Sequence, residues 1–121
     1  DTYFYDAAAG LDKSERERAA ADRIFGLLPT DQGMELRALW DEFEDGTTAD
    51  ARFALGLDRF IPQLHNYYTK GRSWAEHSIT ADRVLERNAA IADGSARLWE
   101  CARALLDDAV AKGFLPYTKE N

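Results

Sequence analysis

Asp58, His65 and His77 carry the residue types from which a site could be built. Asp58 lies on the margin of an otherwise apolar helix face, beside Leu57 and one turn from Ala54 and Ile61. A carboxylate in that setting is costly unless it is paired or binds a metal. His65 follows seven residues on, two turns along nearly the same face, and His77 comes later, in a loop. Two imidazoles and a carboxylate make a donor set for a divalent cation. Their spacing matches no compact zinc pattern, such as two histidines four apart with a helical glutamate. The plainer readings therefore stay open: Asp58 leaning outward to Arg59 or Arg52, and His65 hydrogen-bonded and half-buried.

Other chemistries lack their residues. The sequence has no glycine-rich phosphate loop, no Gly-x-Ser-x-Gly elbow, no Cys-x-x-Cys and no calcium-binding loop. The acids Asp41, Glu42, Glu44 and Asp45 cluster, but on the polar face and C-terminal end of a helix, where they should be solvated.

Helices must position these residues. Ser14 with Glu17 reads as a capping box, so a helix should start near Glu15, carry Ala20, Ala21, Ile24, Phe25 and Leu28 on one face, and end at Pro29. Thr30 can cap a second helix with the stripe Leu36, Leu39, Trp40 and Phe43, stopped by Gly46. Thr47 with Asp50 reads as another capping box. It opens the longest periodic segment, with Phe53, Leu57, Phe60, Ile61, Leu64 and Tyr68 facing inward and a kink expected from Pro62. The loop RSWAEHSI should be ordered against the body. Thr80 should cap a helix running through Val84, Leu85, Asn88 and Ile91 to Gly94, and Ser95 the last helix, which carries Leu98, Ala102, Leu105, Ala109 and Val110 as far as Gly113. The tail FLPYTKEN should trail off. No convincing strand alternation and no internal repeat is present. The fold class is all-α, a bundle of about five helices.

The 121 residues, 45% hydrophobic and 31% charged, suit one domain with its own core. A net charge of −7 disfavours a nucleic-acid duplex or an anionic membrane as partner. The densest basic run, Lys13 to Arg23, is interleaved with Glu15, Glu17 and Asp22, the pattern of an exposed helix face. The lone Cys101 excludes an internal disulfide, suits a cytoplasmic setting and reads as a small apolar filler. No apolar run reaches the length of a membrane span. The start at Asp1, with the aperiodic DTYFYDAAAG, suggests a fragment.

The stretch ELRALWDEFEDGTTADARFALGLDRFIPQLHNYYTKG, followed by Trp74-x-Glu76-His77 and by ERNAAIADGSARLWE, resembles the later helices of small bacterial HD-domain hydrolases. The branch it is most similar to is that of the 5′-deoxynucleotidases. The likeness runs from about Asp1 to Leu115, and its most specific part is the Leu-Trp-x-Glu-Phe-Glu pattern followed by Leu57-Asp58-Arg59. The resemblance implies an all-α HD fold holding a divalent cation (manganese, cobalt, magnesium, iron or zinc) through a first histidine, an adjacent His-Asp pair and one aspartate from a later helix. Asp58 matches that last aspartate. Asp1 matches an acidic residue close to the substrate sugar or the attacking water, and is the catalytic candidate. Arg59 and His77, which recur in the subfamily with His65 and Asn66, would line the substrate side, an arginine beside a metal ligand being well shaped for a phosphate.

The resemblance places the His-Asp motif and the catalytic glutamate upstream of Asp1, so residues 1–121 read as one HD-domain-like helical domain lacking its N-terminal helices, inactive by itself. The parent protein would release phosphate from a nucleotide monophosphate as a small-molecule substrate, and relatives are often homodimers. The competing expectation is a non-catalytic acidic helical module that dimerises through Trp40, Phe43, Trp74 and Trp99.

Overall fold

The structure, a computed structural model, describes residues 12–118. All regular structure among them is helical: α1 (Lys13–Phe25), α2 (Thr30–Asp45), α3 (Ala49–Tyr68), α4 (Arg72–Glu76), α5 (Ala81–Asn88), α6 (Ile91–Gly94) and α7 (Ala96–Ala111). The five expected helices are present. The two additions are single turns: α4 lies inside the segment expected as an ordered loop, and α6 is cut from the expected Thr80–Gly94 helix by a break at Ala89 and Ala90. The chain divides into two compact units, Asp1–Asp41 and Glu42–Asn121.

In the first unit α1 buries Ala21 and the start of α2 buries Gly33, where a Cβ would stand 2.6 Å from the carbonyl oxygen of Phe25 at the end of α1. Arg37 ties them together: it pairs with Asp22 of α1, donates from Nε to Asp41 at 3.1 Å, and lies over the Trp40 ring at 5.2 Å. Ser14 is not a cap. The helix already begins at Lys13, behind Asp12, which makes no side-chain cap bond.

The second unit is built on α3, packed by α6 and α7. Small residues make this approach close. Gly56 is buried, and a Cβ at Gly94 of α6 would stand 2.4 Å from the Arg52 carbonyl oxygen, so only glycine lets the two backbones meet there. Ile91, Ala102, Leu106 and Ala109 fill the space behind, and Trp74 and Ile79 anchor the α4 segment. Inside this core Gln63 donates to the Ala102 carbonyl at 2.6 Å and accepts from Asn88 Nδ2 at 3.3 Å. Gln63→Leu keeps the volume and removes both bonds, stranding a buried carbonyl and amide. It should cost about 2 kcal/mol, read as a lower urea midpoint at unchanged m-value.

Side chains cap α3 and α7, and the α5 amides are met differently. Ser95 accepts from the Leu98 amide at 3.1 Å, as expected. The α3 cap falls one residue later than expected, on Thr48, which accepts from the Ala51 amide at 3.1 Å and donates to Glu42 at 2.7 Å. Thr80 stands at the α5 N-cap but directs its hydroxyl to Asp82. The tail serves α5 instead of trailing off: the carbonyls of Pro116 and Tyr117 accept from the Ala81 and Asp82 amides at 2.9 and 3.2 Å, and Leu115 is buried. α3 remains helical through Pro62.

A polar clamp joins α3 to α7. Tyr67 donates to Asp108, while Lys112 Nζ lies 2.6 Å from the same carboxylate and 2.7 Å from the Tyr67 oxygen. Lys112 first, and Tyr67 second, hold the Asp108 carboxyl below its usual 3.8. Asp108 raises the Lys112 ammonium above its ordinary value. Asp108 therefore stabilises the fold above the unfolded-state pKa, and this is lost as pH falls through its depressed folded value. Lys112 contributes below its ordinary pKa and loses this as pH rises through the raised one. In an NMR titration the Asp108 carboxyl should titrate below 3.8, and Lys112→Met should move it upward; an unchanged titration would contradict the clamp.

Candidate functional site

The inward face expected for α3 is reversed over much of its length. The helix buries Ala51, Gly56 and Gln63, while Phe53, Leu57, Ile61 and Tyr68 are 47%, 38%, 55% and 75% exposed; Phe60 and Leu64 are half-buried. The buried side takes the small Ala51 and Gly56 and the hydrogen-bonded Gln63, and Phe53, Leu57, Ile61 and Tyr68 stand away from it, on an open side. Asp58 belongs to that open side. It is exposed, and so bears none of the burial cost that the apolar pattern suggested. It makes no hydrogen bond or ion pair with a described residue.

His65 is also exposed, not half-buried as expected. Seven residues along a helix are about 10 Å of rise, too far for one cation to be shared by side chains that both tilt toward the helix N-terminus. Consistently, no group of three or more His, Cys, Asp or Glu among the described residues could hold a metal ion. Asp58, His65 and His77 are therefore not a metal set by themselves. Asp58 offers a hard oxygen donor of the kind a divalent cation accepts, but the described residues supply no complete shell.

Arg59 is half-buried with its Nε shielded from solvent. His77 is exposed at the C-terminal end of α4, its Nδ1 3.1 Å from the Ser73 carbonyl. Asp1 lies outside the described residues. Of the aromatics expected on a dimer surface, Trp74 is 3% exposed and belongs to the core, while Trp40, Phe43 and Trp99 are half-buried. Cys101, expected as filler, is exposed on α7.

Sequence reasoning missed a shallow cleft of about 420 Å³ between α3 and α4, lined by Ile61, Pro62, His65, Asn66, Thr69, Arg72, Ser73 and Glu76. Its cause was legible: Lys70 and Gly71, both with positive φ, turn the chain back after α3. The polar triad Tyr67, Asp108 and Lys112 was also missed: Asp108 and Lys112 are an i, i+4 pair, but nothing local in the sequence links them to Tyr67, some forty positions earlier.

Residues 1–99 match the family model of the HD domain. A solved structure of a predicted metal-dependent phosphohydrolase from Magnetospirillum magnetotacticum MS-1 superposes with a TM-score of 0.83 at 51% identity, covering 96% of this chain and 59% of that one. Among curated proteins, 5′-deoxynucleotidase HDDC2 of Homo sapiens is 42% identical over 48 residues, 40% of this chain and 24% of that protein. HDDC2 of Xenopus laevis is 37% identical over 54 residues, 45% of this chain and 27% of that protein. The chain thus spans about a quarter of the length of the curated relatives it matches. No described helix is long and apolar enough to cross a membrane.

Proposed function

This chain belongs to the HD-domain family, and from that membership we propose that the protein it comes from is a metal-dependent phosphohydrolase releasing phosphate from a nucleotide monophosphate, a 5′-deoxynucleotide above all. The observation that carries the reading is the likeness, across almost the whole chain, to a predicted metal-dependent phosphohydrolase at 51% identity. The deoxynucleotide preference leans on the shorter HDDC2 matches. A bound divalent cation would polarise the phosphate and lower the pKa of a coordinated water. Toward it this chain offers Asp58, a carboxylate held on a rigid helix and open to approach. The remaining ligands would come from polypeptide outside the described residues. Arg59 would supply a planar guanidinium toward the phosphate, and His77, at the end of α4, a donor on the substrate side. Asp1 stands as the acid near the sugar or the attacking water. The protein would act in the cytoplasm on this small molecule, as a homodimer.

The test is made on the source protein in full: intact mass, bound metal, and phosphate release from a panel of deoxynucleoside monophosphates. The expected result is a mass above the 13.6 kDa of this chain, a bound divalent ion and release from at least one member of the panel. A mass of 13.6 kDa with no metal and no release would remove catalysis and leave an acidic helical interaction module.

A further inference from the structure

The segment that follows α7 reaches both ends of the stretch between α3 and α5. At one end the Phe114 carbonyl lies so close to Gly71 that a Cβ there would stand 2.1 Å from its oxygen, and the Phe114 ring meets Tyr67 edge-on at 5.9 Å. At the other end the Pro116 and Tyr117 carbonyls accept from the Ala81 and Asp82 amides, the first two of α5, which have no partner inside their own helix. Between these contacts Leu115 is 1% exposed. Residues 114–117 form a strap. Its root is fixed: Gly113, at φ of +74°, turns the chain off α7, and the Phe114 amide donates back to the Ala109 carbonyl at 2.9 Å.

What the strap holds is a segment rich in polar side chains. Arg72, Ser73 and Glu76 of α4 line the cleft together with His65 and Asn66 of α3, and His77 stands at the end of α4. A helix of five residues is too short to keep its own shape, so its place depends on what grips it. Trp74 and Ile79 anchor its middle, and the strap grips both ends. α3 is held separately, by α6 and α7. Loosening the strap would therefore shift one wall of the cleft and His77 while Asp58 keeps its position.

We propose that residues 114–117 are a positioning strap, anchored by Leu115, which sets where α4 and His77 stand against α3 and so how firmly the substrate is held. Leu115 acts through the segment it grips and touches no reacting atom. That the ligand is a nucleotide rests on the proposed function; the strap itself requires neither cation nor phosphate ester. The HD-domain match covers residues 1–99, so membership of that family does not assign the strap this role.

Leu115→Ala in the full source protein tests it, against Gln63→Leu as a control that weakens the core away from the strap. Native-state hydrogen exchange comes first. Leu115→Ala should speed exchange at the Ala81 and Asp82 amides by at least about tenfold, and Gln63→Leu should leave them within about threefold of the wild type, because the strap opens while the core stays folded. In phosphate release, Leu115→Ala should raise KM about tenfold with kcat within about threefold; Leu115→Met should restore the wild-type value, and Gln63→Leu should leave KM unchanged. A residue that only stabilised the fold would lower the active fraction, and so kcat, without moving KM. That outcome overturns the proposal, as does equal acceleration of Ala81 and Asp82 in Leu115→Ala and Gln63→Leu. If circular dichroism shows Leu115→Ala unfolded, Leu115→Val takes its place under the same criteria. A source protein that releases no phosphate removes the proposed function, and the exchange pattern then decides the strap alone.

Discussion

Asp58→Ala in the full source protein should lower phosphate release by about a thousandfold or more and strip the bound metal, while the midpoint of the metal-free protein stays within about 2 °C. The first half follows from Lewis-acid chemistry. A cation stabilises transition-state charge by several kcal/mol, and each 1.36 kcal/mol is about tenfold in rate, so its loss is worth about three decades. The second half follows from the structure: Asp58 is exposed and makes no hydrogen bond or ion pair with a described residue, so its removal strands no partner. The two halves are linked by mass action. A ligand that binds only the folded state raises the midpoint, so the wild type should melt higher with metal than in EDTA and the variant should not. The reading fails if the variant keeps its metal by mass spectrometry, whatever happens to the rate. It fails differently if the metal-free variant melts far lower, which would make Asp58 a structural residue whose loss reaches activity through folding.

How much of this was legible in the sequence depends on what sets each feature. Helices bounded by local punctuation were read well, because a cap or a breaker acts within one turn: Ser95 caps α7 as expected, and Gly46 and Gly113 stand at positive φ beyond α2 and α7. Where two candidates adjoined, local chemistry could not choose, and the α3 cap fell on Thr48 because that hydroxyl also reaches Glu42. Features made by distant residues left no local trace. The α5 amides are met by the tail carbonyls of Pro116 and Tyr117, and the Gln63 to Asn88 pair becomes visible only once α3 and α5 are brought together.

The face of α3 is the most instructive case. Periodicity finds the apolar stripe correctly but carries no sign for which side packs within the 121 residues. Here Gly56 and the nearby Gly94 let α6 lie close against the small-residue side. The stripe of Phe53, Leu57 and Ile61 is left open, with Asp58 beside it. An apolar stripe in the sequence is therefore no guide by itself to which face the described residues bury. The resemblance, by contrast, found Asp58 without needing the face at all, because the Leu57-Asp58-Arg59 pattern is read directly from the sequence.

The largest stability effect should come from a single methyl group at the turn that closes α3 onto α4. Gly71 has φ of +74°, and a Cβ there would lie 2.1 Å from the Phe114 carbonyl oxygen and 3.0 Å from its carbon. Both obstacles are backbone, so no side chain can swing away, and the turn is tied down by the Gly71 amide donating to the Asn66 carbonyl at 2.7 Å. Left-handed strain at a residue with a side chain costs about 1–3 kcal/mol, and forced overpacking about as much again, so Gly71→Ala should destabilise by about 3–5 kcal/mol. Gly113 separates the two contributions. Its φ is also +74°, yet nothing lies within 4 Å of the Cβ position, so Gly113→Ala should cost only the conformational part, about 1 kcal/mol. Urea unfolding of both variants at one pH reads the difference directly. If the two lost equal stability, the contact with Phe114 would be yielding, and the segment after α7 would be free to shift away from the turn.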